Sequence, residues 1–378
     1  MKMSGLFLMT AALAASLCSA SAERAPVYRV AHDCAGAARC FASIQAALDA
    51  AGGEGWATVK MGPGDFYEKV TIRRAKTVLK GEGAGRTRLH FDAVAQAAGQ
   101  YHRERWGTPG SATLTIDADQ VTVDGLTVEN TYDFLANDGL ADGDPRKTGN
   151  SQAVAVLLDV HSDRVLIRNA SLLGYQDTLF ANGGRAYIRH SLVAGNIDFI
   201  FGNGRLLIAD SEIRTRKRLA PVAAGDFHSF VAAPSTPLSQ RMGIVIYRSR
   251  LTREAGVPDN SVALGRPWHP TTRFADGRYA DPNAVGQASF IDCFMDAHIH
   301  SDHWTSMNGT ARDGTKTAVF RPQDTRFSES GSYGPGARHA DIGITWADPI
   351  GLRDVEAAMF DGWPEAARDF HRIAAAHP

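Results

Sequence analysis

A net charge of either sign is missing from this chain. Lys+Arg number 40 and Asp+Glu 41 among 378 residues, a formal charge of −1. No strong field therefore draws it to nucleic acid or to an anionic membrane surface. Cysteine is scarce, at four, which excludes a disulfide-dense scaffold; a chain of this length does not need that staple. Beyond the N-terminus no stretch reaches the ~18 apolar residues of a membrane-spanning helix. The G-x-S-x-G elbow of α/β serine hydrolases is absent, and so is the H-E-x-x-H zinc motif. Of the 13 histidines, His298, His300 and His303 come nearest to a cluster, and they read as a strand end and its loop. Asp138, Asp142 and Asp144 crowd one loop, but they lack both the D-x-[DN]-x-[DN]-G pattern and a Glu at the twelfth position. They read as a solvated loop, and no metal or cofactor is expected.

What is present is ordinary globular composition, 44% hydrophobic and 21% charged with 37 Gly, which excludes disorder. Residues Met1 to Ala22 read as a secretory leader: Lys2, an apolar run from Leu6 to Leu17, then Ala20-Ser21-Ala22 as a small-residue cleavage site. The mature chain is expected to start near Glu23, to form one domain over 23–378 and to be extracellular. A lipid anchor on Cys18 is disfavoured by the bulk of Leu17 before it. Removing the leader leaves Cys34, Cys40 and Cys293. Cys34 and Cys40 are close enough in sequence to close a small loop in an oxidising compartment, with three buried thiols as the alternative; Cys293 has no evident partner.

Phe41 to Ala51 places Phe41, Ile44, Ala47 and Leu48 on one helical face and stops at Gly52-Gly53, a short helix able to cover the end of a solenoid. Short β-like runs follow, and from Leu114 they repeat. Leu173, Val193 and Ile213 stand 20 residues apart each time. Strand, small or polar corner, strand, recurring at that interval, predicts an all-β parallel β-helix. An antiparallel sandwich would want more two-residue hairpins and cleaner polar alternation. Asn130 to Asn150, Lys217 to Gln240 and Pro267 to Asn283 read as loops building a binding face. Asp354 to Ala375 is expected to pack on the outside of the stack.

Two acids sit in runs where a solvated carboxylate is out of place: Asp177 in Gly-Tyr-Gln-Asp-Thr-Leu-Phe and Asp198 in Asp-Phe-Ile-Phe-Gly-Asn. They are 21 residues apart (198 − 177), one coil, and parallel strands in adjacent coils lie roughly 4.8 Å apart. Like charges that close push one pKa up, which yields an acid and a nucleophile at one pH. Gln176 adjoins the first acid and Gln152 lies about one coil earlier. The run Leu264-Gly-Arg-Pro-Trp268 adds Arg266 and Trp268.

GYQDTLF, DFIFGN and LGRPWHPTTRF in this order, with Pro63-Gly-Asp-Phe-Tyr-Glu-Lys-Val70 and the Gln152-Ala-Val-Ala run, resemble the pectin methylesterase family, nearest its bacterial extracellular branch. The resemblance implies a right-handed parallel β-helix and hydrolysis of galacturonate methyl esters in pectin. It implies that Asp198 is the nucleophile, Asp177 the acid and then base, Gln152 and Gln176 the oxyanion donors, and Arg266 the group holding Asp198 ionised. Phe180, Phe201, Trp268, Trp304 and Met307 would line sugar subsites. Phe180 stands where many relatives carry Tyr, and Ile197 before the nucleophile is a small change without mechanistic consequence. Pectin is the expected partner of a monomer. The alternatives are a β-helix galacturonan hydrolase or lyase and a non-catalytic polysaccharide-binding solenoid. The basic run Arg214 to Arg218 could attract an anionic polymer or form a solvated edge.

Overall fold

The computed structural model describes residues 25–34, 37–98, 107–223, 225–338 and 348–375; the expected leader, 1–22, lies outside them. Short strands fall into three parallel sheets of eleven, eight and seven strands. Val165–Arg168 lies in the first sheet, Ser171–Leu173 in the second and Leu179–Ala181 in the third, after which Arg185–Arg189 returns to pair with Val165–Arg168. Each strand's neighbour is therefore the strand one circuit away, which is the parallel β-helix that the repeat predicts.

Register stacks like on like. Ile167, Ile188, Ile208, Ile246 and Phe290 form one interior column in the eleven-stranded sheet, all fully buried, each worth on the order of 1.5–3 kcal/mol of burial. The eight-stranded sheet corrects one phase: Val193 faces Ile213, but Leu172 rather than Leu173 faces Val193. That coil is 21 residues long, not 20, so Leu172 takes the core position.

The corner between these sheets explains Cys293. In successive coils it begins with a left-handed residue, Asn169, His190, Asp210, Arg248 and Asp292, with φ between 44° and 53°. A small residue follows each time, and main chain bonds hydroxyl from coil to coil. Ala170 N–H donates to Ser191 Oγ, Ser191 N–H to Ser211 Oγ and Ser211 N–H to Ser249 Oγ, each at 3.2 Å. Cys293 occupies the next rung, its N–H donating to Ser332 Oγ; the thiol is buried, outside any disulfide and within reach of the Ile246 and Ile291 carbonyls at 3.4 Å, and burial pushes it up to about 12. Cys34 and Cys40 are joined in a disulfide, Cα–Cα 5.4 Å.

The N-terminal helix is shorter than its periodicity suggests. It runs Ile44–Ala50, because Ser43 caps it and the Glu68 carboxylate accepts from the N–H groups of Ile44 and Gln45. Phe41 instead belongs to a two-residue strand beside Val30. Ile44, Ala47 and Leu48 join the main core. At the other end, helices Leu352–Met359 and Pro364–Ala375 lie outside the stack, with Val355, Met359, Phe370 and Ile373 packed on Tyr187, Leu207, Val245 and Tyr247. Two stretches read as loops contain strands. Ser229–Pro234 is a rung of the seven-stranded sheet, its signal muted by small alanines. Thr271–Phe274 pairs antiparallel with Gly277–Ala280.

Candidate active site

The outer face of the seven-stranded sheet is open. There Leu179 faces Ile200 and Phe180 faces Phe201, the same 21-residue offset that separates Asp177 from Asp198. Ahead of each pairing the backbone turns left-handed, φ 64° at Asp177 and 49° at Asp198. Against Ser229–Pro234 the register slips between Ile197 and Ile200, a bulge of the kind that re-aims a side chain. Aspartate tolerates this conformation better than most residues, at a cost on the order of 1–3 kcal/mol each. Asp177 N–H donates to the Ile197 carbonyl at 3.0 Å, tying the two coils beside the acids. Gly202 closes the strand at φ 124°, where a Cβ would sit 2.0 Å from the Ala181 carbonyl oxygen.

The two carboxyl groups differ in what they touch. Asp198 accepts two parallel bonds from Arg266, Nε to Oδ1 and Nη2 to Oδ2, both 2.7 Å. Arg266 is fixed in turn: its N–H donates to the Ala232 carbonyl at 3.0 Å, and its guanidinium lies 3.7 Å over the Phe230 ring. Among the described residues no arginine pairs with Asp177. Burial first, and then the charge of Asp198, hold its carboxyl well above the usual carboxylate range, with Arg266 opposing. One carboxyl is thus biased toward its protonated form, while the other accepts a bidentate guanidinium.

Both acids, Gln152, Gln176 and Arg266 line one groove of about 1290 Å³. Its floor is aromatic: Phe180 stacks on Phe201 at 4.2 Å, and Trp268 meets both edge-on at 6.2 and 5.6 Å. Met307 lines it too. Trp304 does not. It is buried in the core, stacked 4.7 Å from Phe327 and edge-on to Phe290, because the strand-like bridge from Gly265 to Trp304 turns the indole inward.

Several further side chains reach or brace the groove. Thr271 and Thr272, Arg273 and Arg278 come from the first hairpin, and Lys316 lies beside a second, Met307–Gly309 with Ala318–Phe320. The hairpins are joined by Thr271 to Thr310 at 2.8 Å and by His269 stacked 3.7 Å from Phe320. Phe230 shows only as an aromatic in an alanine-rich run. Tyr175, just before Gln176, is clasped between the Phe134 ring at 5.3 Å and the Arg216 guanidinium at 3.8 Å.

The charged clusters prove structural. Asp138 is buried rather than solvated, and its carboxylate accepts from Arg218 and from the amides of Leu219 and Ala220. Asp142 pairs with Lys147, and Asp144 with Arg146. Arg214 and Arg216 pair with Glu212 and Glu254, so the arginines of this basic run are paired with acids while Lys217 is exposed. Among the described residues, no three His, Cys, Asp or Glu side chains come together as a metal cluster, and no helix is long and apolar enough to cross a membrane.

With this geometry in place, residues 28–348 match the family model described as Pectinesterase. The chain belongs to the pectinesterase family. It is 42% identical over 277 residues to pectinesterase A of Dickeya chrysanthemi, covering 72% of this chain and 74% of that protein. Among solved structures it is similar to pectin methylesterase PemA from Erwinia chrysanthemi, with TM-score 0.76, 38% identity, and 85% of this chain and 92% of the other covered. It is also similar to the pectin methylesterase from Yersinia enterocolitica, with TM-score 0.75, 39% identity, and 84% and 96% covered. A third, at TM-score 0.77 and 36% identity, covering 89% and 97%, is a pectin methylesterase in complex with a hexasaccharide. In this pectinesterase fold the groove combines an aromatic floor with the two acids, the two glutamines and Arg266.

Proposed function

We propose that this pectinesterase hydrolyses the methyl esters of pectin galacturonate through a covalent intermediate on Asp198, with Asp177 as acid and then base. An Asp198 oxygen attacks the ester carbonyl, and the amide N–H groups of Gln152 and Gln176 donate to the oxygen that becomes negative. As the intermediate collapses, the carbon–methoxy bond breaks and the Asp177 proton goes to the departing methoxide, releasing methanol. The acyl group is now an anhydride on Asp198. Asp177, ionised by that transfer, takes a proton from water, and the hydroxide adds to the acyl carbon. Asp198 leaves as a carboxylate, and the product acid loses its proton to solvent. Arg266 holds Asp198 at the right angle and returns it to its starting bonds.

The observation that carries this reading is the inequality of the acids: Asp198 in a bidentate pair with Arg266, Asp177 buried with its pKa raised. Phe180, Phe201, Trp268 and Met307 would contact the sugar faces. The test is methanol release from methylated pectin with chelator present. Methanol without new reducing ends supports the reading, and new reducing ends would assign glycosidic cleavage instead. The Met1 to Ala22 pattern supports export of one domain, 23–378, which we take to act as a monomer. Secreted protein starting near Glu23 and sedimenting as one chain is the expected result.

A further inference from the structure

The oxyanion role of Gln176 needs one end of its side-chain amide, the NH₂, to face the reacting carbonyl, and glutamine has three torsions through which to lose that aim. The coil before it supplies a restraint. Ser151 Oγ donates a hydrogen bond to Gln176 Oε1 at 2.9 Å, so the amide oxygen is engaged away from the substrate and Nε2 is left to donate. Two residues further on, Ala153 N–H donates to the Gln176 carbonyl at 3.1 Å. The residues on either side of Gln152 thus grip Gln176 twice, once by side chain and once by main chain. In the same segment Tyr175 is held between Phe134 and Arg216, whose Nη1 also donates to the Gly174 carbonyl at 3.0 Å. With backbone held so firmly, the amide plane is the remaining freedom, and Ser151 is the contact that removes it.

We propose that Ser151 is a positioning residue of the esterase reaction, aligning the Gln176 amide so that its N–H meets the developing oxyanion. This rests on the reading of Gln176 as an oxyanion donor. Turned the other way, Gln176 would present its carbonyl oxygen to a growing negative charge, and the serine hydroxyl would lose the acceptor of its proton. Ser151 touches no reacting atom. Its effect belongs to the transition state, so it should appear in kcat and not in KM.

The experiment compares Ser151→Ala, Ser151→Thr, Ser151→Val, Gln176→Ala and the Ser151→Ala/Gln176→Ala pair in the exported enzyme, measuring kcat, KM and Tm on methylated pectin. Losing one ordinary hydrogen bond that orients a donor predicts a fall in kcat of about 5- to 10-fold in Ser151→Ala, with KM unchanged. Thr keeps the hydroxyl and is expected to restore the rate; Val, with the same shape and no hydroxyl, is expected to lose it. This isolates the bond from any packing effect. The double variant should be no slower than Gln176→Ala, since a positioning residue has nothing left to position. Wild-type kcat in both Ser151→Ala and Ser151→Val overturns the proposal, as does a double variant showing the product of the two single losses. If Gln176→Ala itself keeps wild-type kcat, it is the oxyanion reading that falls. If it loses about 100- to 1000-fold while Ser151→Ala loses nothing, only the role of Ser151 falls.

Discussion

Two outer faces of the same solenoid have opposite fates. On the eleven-stranded sheet the outward residues Tyr187, Leu207, Val245 and Tyr247 are apolar and lie beneath the C-terminal helices. On the seven-stranded sheet the outward surface carries Asp177, Asp198, Gln152, Gln176 and a pair of stacked phenylalanines, and it stays open as a groove. Both sheets stack parallel rungs over one shared interior, so the coil itself does not decide between them. Besides their side chains, the two faces differ in the ladder itself. Over the covered face the rungs from Arg185–Arg189 to Gln287–Ile291 pair without a slip. On the open face the chain turns left-handed at both acids and the register slips after Ile197.

The sharpest break in this contrast is at Asp198. Asp198→Asn keeps the shape and removes the nucleophile, so methanol release should drop below detection while Tm stays within a few degrees; substantial turnover would remove the assignment. Next is Phe370→Ala on the covered face, where the buried ring lies 5.1 Å from Phe360 and 6.0 Å from Tyr247. Denaturant unfolding should show a loss of about 3–5 kcal/mol, and kcat and KM per folded molecule should be those of the parent; a changed kcat would mean that the two faces are coupled. The smallest effect is expected for Trp268→Ala, which removes one wall of the aromatic floor. KM for polymeric pectin should rise by about 3- to 10-fold with kcat retained, and an unchanged KM would take Trp268 out of substrate binding.

How much of this was legible in the sequence follows from what each residue depends on. The interior columns and the acid pair were readable because a coil of ~20 residues puts equivalent positions next to each other. The one-residue slip at Leu172 and Leu173 was not, since the extra residue of that coil lies in the turn before Arg185, where Asn182-Gly183-Gly184 spans what Asn203-Gly204 spans before Arg205 one coil later. Arg266 and Trp268 lay inside a motif. Phe230, which supports Arg266 from below, lies outside any motif and becomes visible only when Ser229–Pro234 is seen as a strand. Trp304 shows the converse: an indole near polar residues looked like a sugar platform, and the fold used it as core. Asp138 likewise looked solvated because its partners, Arg218 and two amides, are 80 residues or more away.

The claim on which the catalytic account depends is that Asp177, beside an Asp198 held by Arg266, carries its proton. Its folded pKa is raised by burial and by Asp198. The stability of the parent should therefore fall, as pH climbs from the ordinary carboxylate range near ~3.9 through that higher value, relative to an Asn variant that never ionises. Denaturant unfolding of the parent and Asp177→Asn across this range is the direct measurement. The account predicts that Asp177→Asn, though inactive, gains on the parent steadily with rising pH and levels off only above the raised pKa. A difference that stays flat with pH, or that turns in favour of the parent, would contradict it.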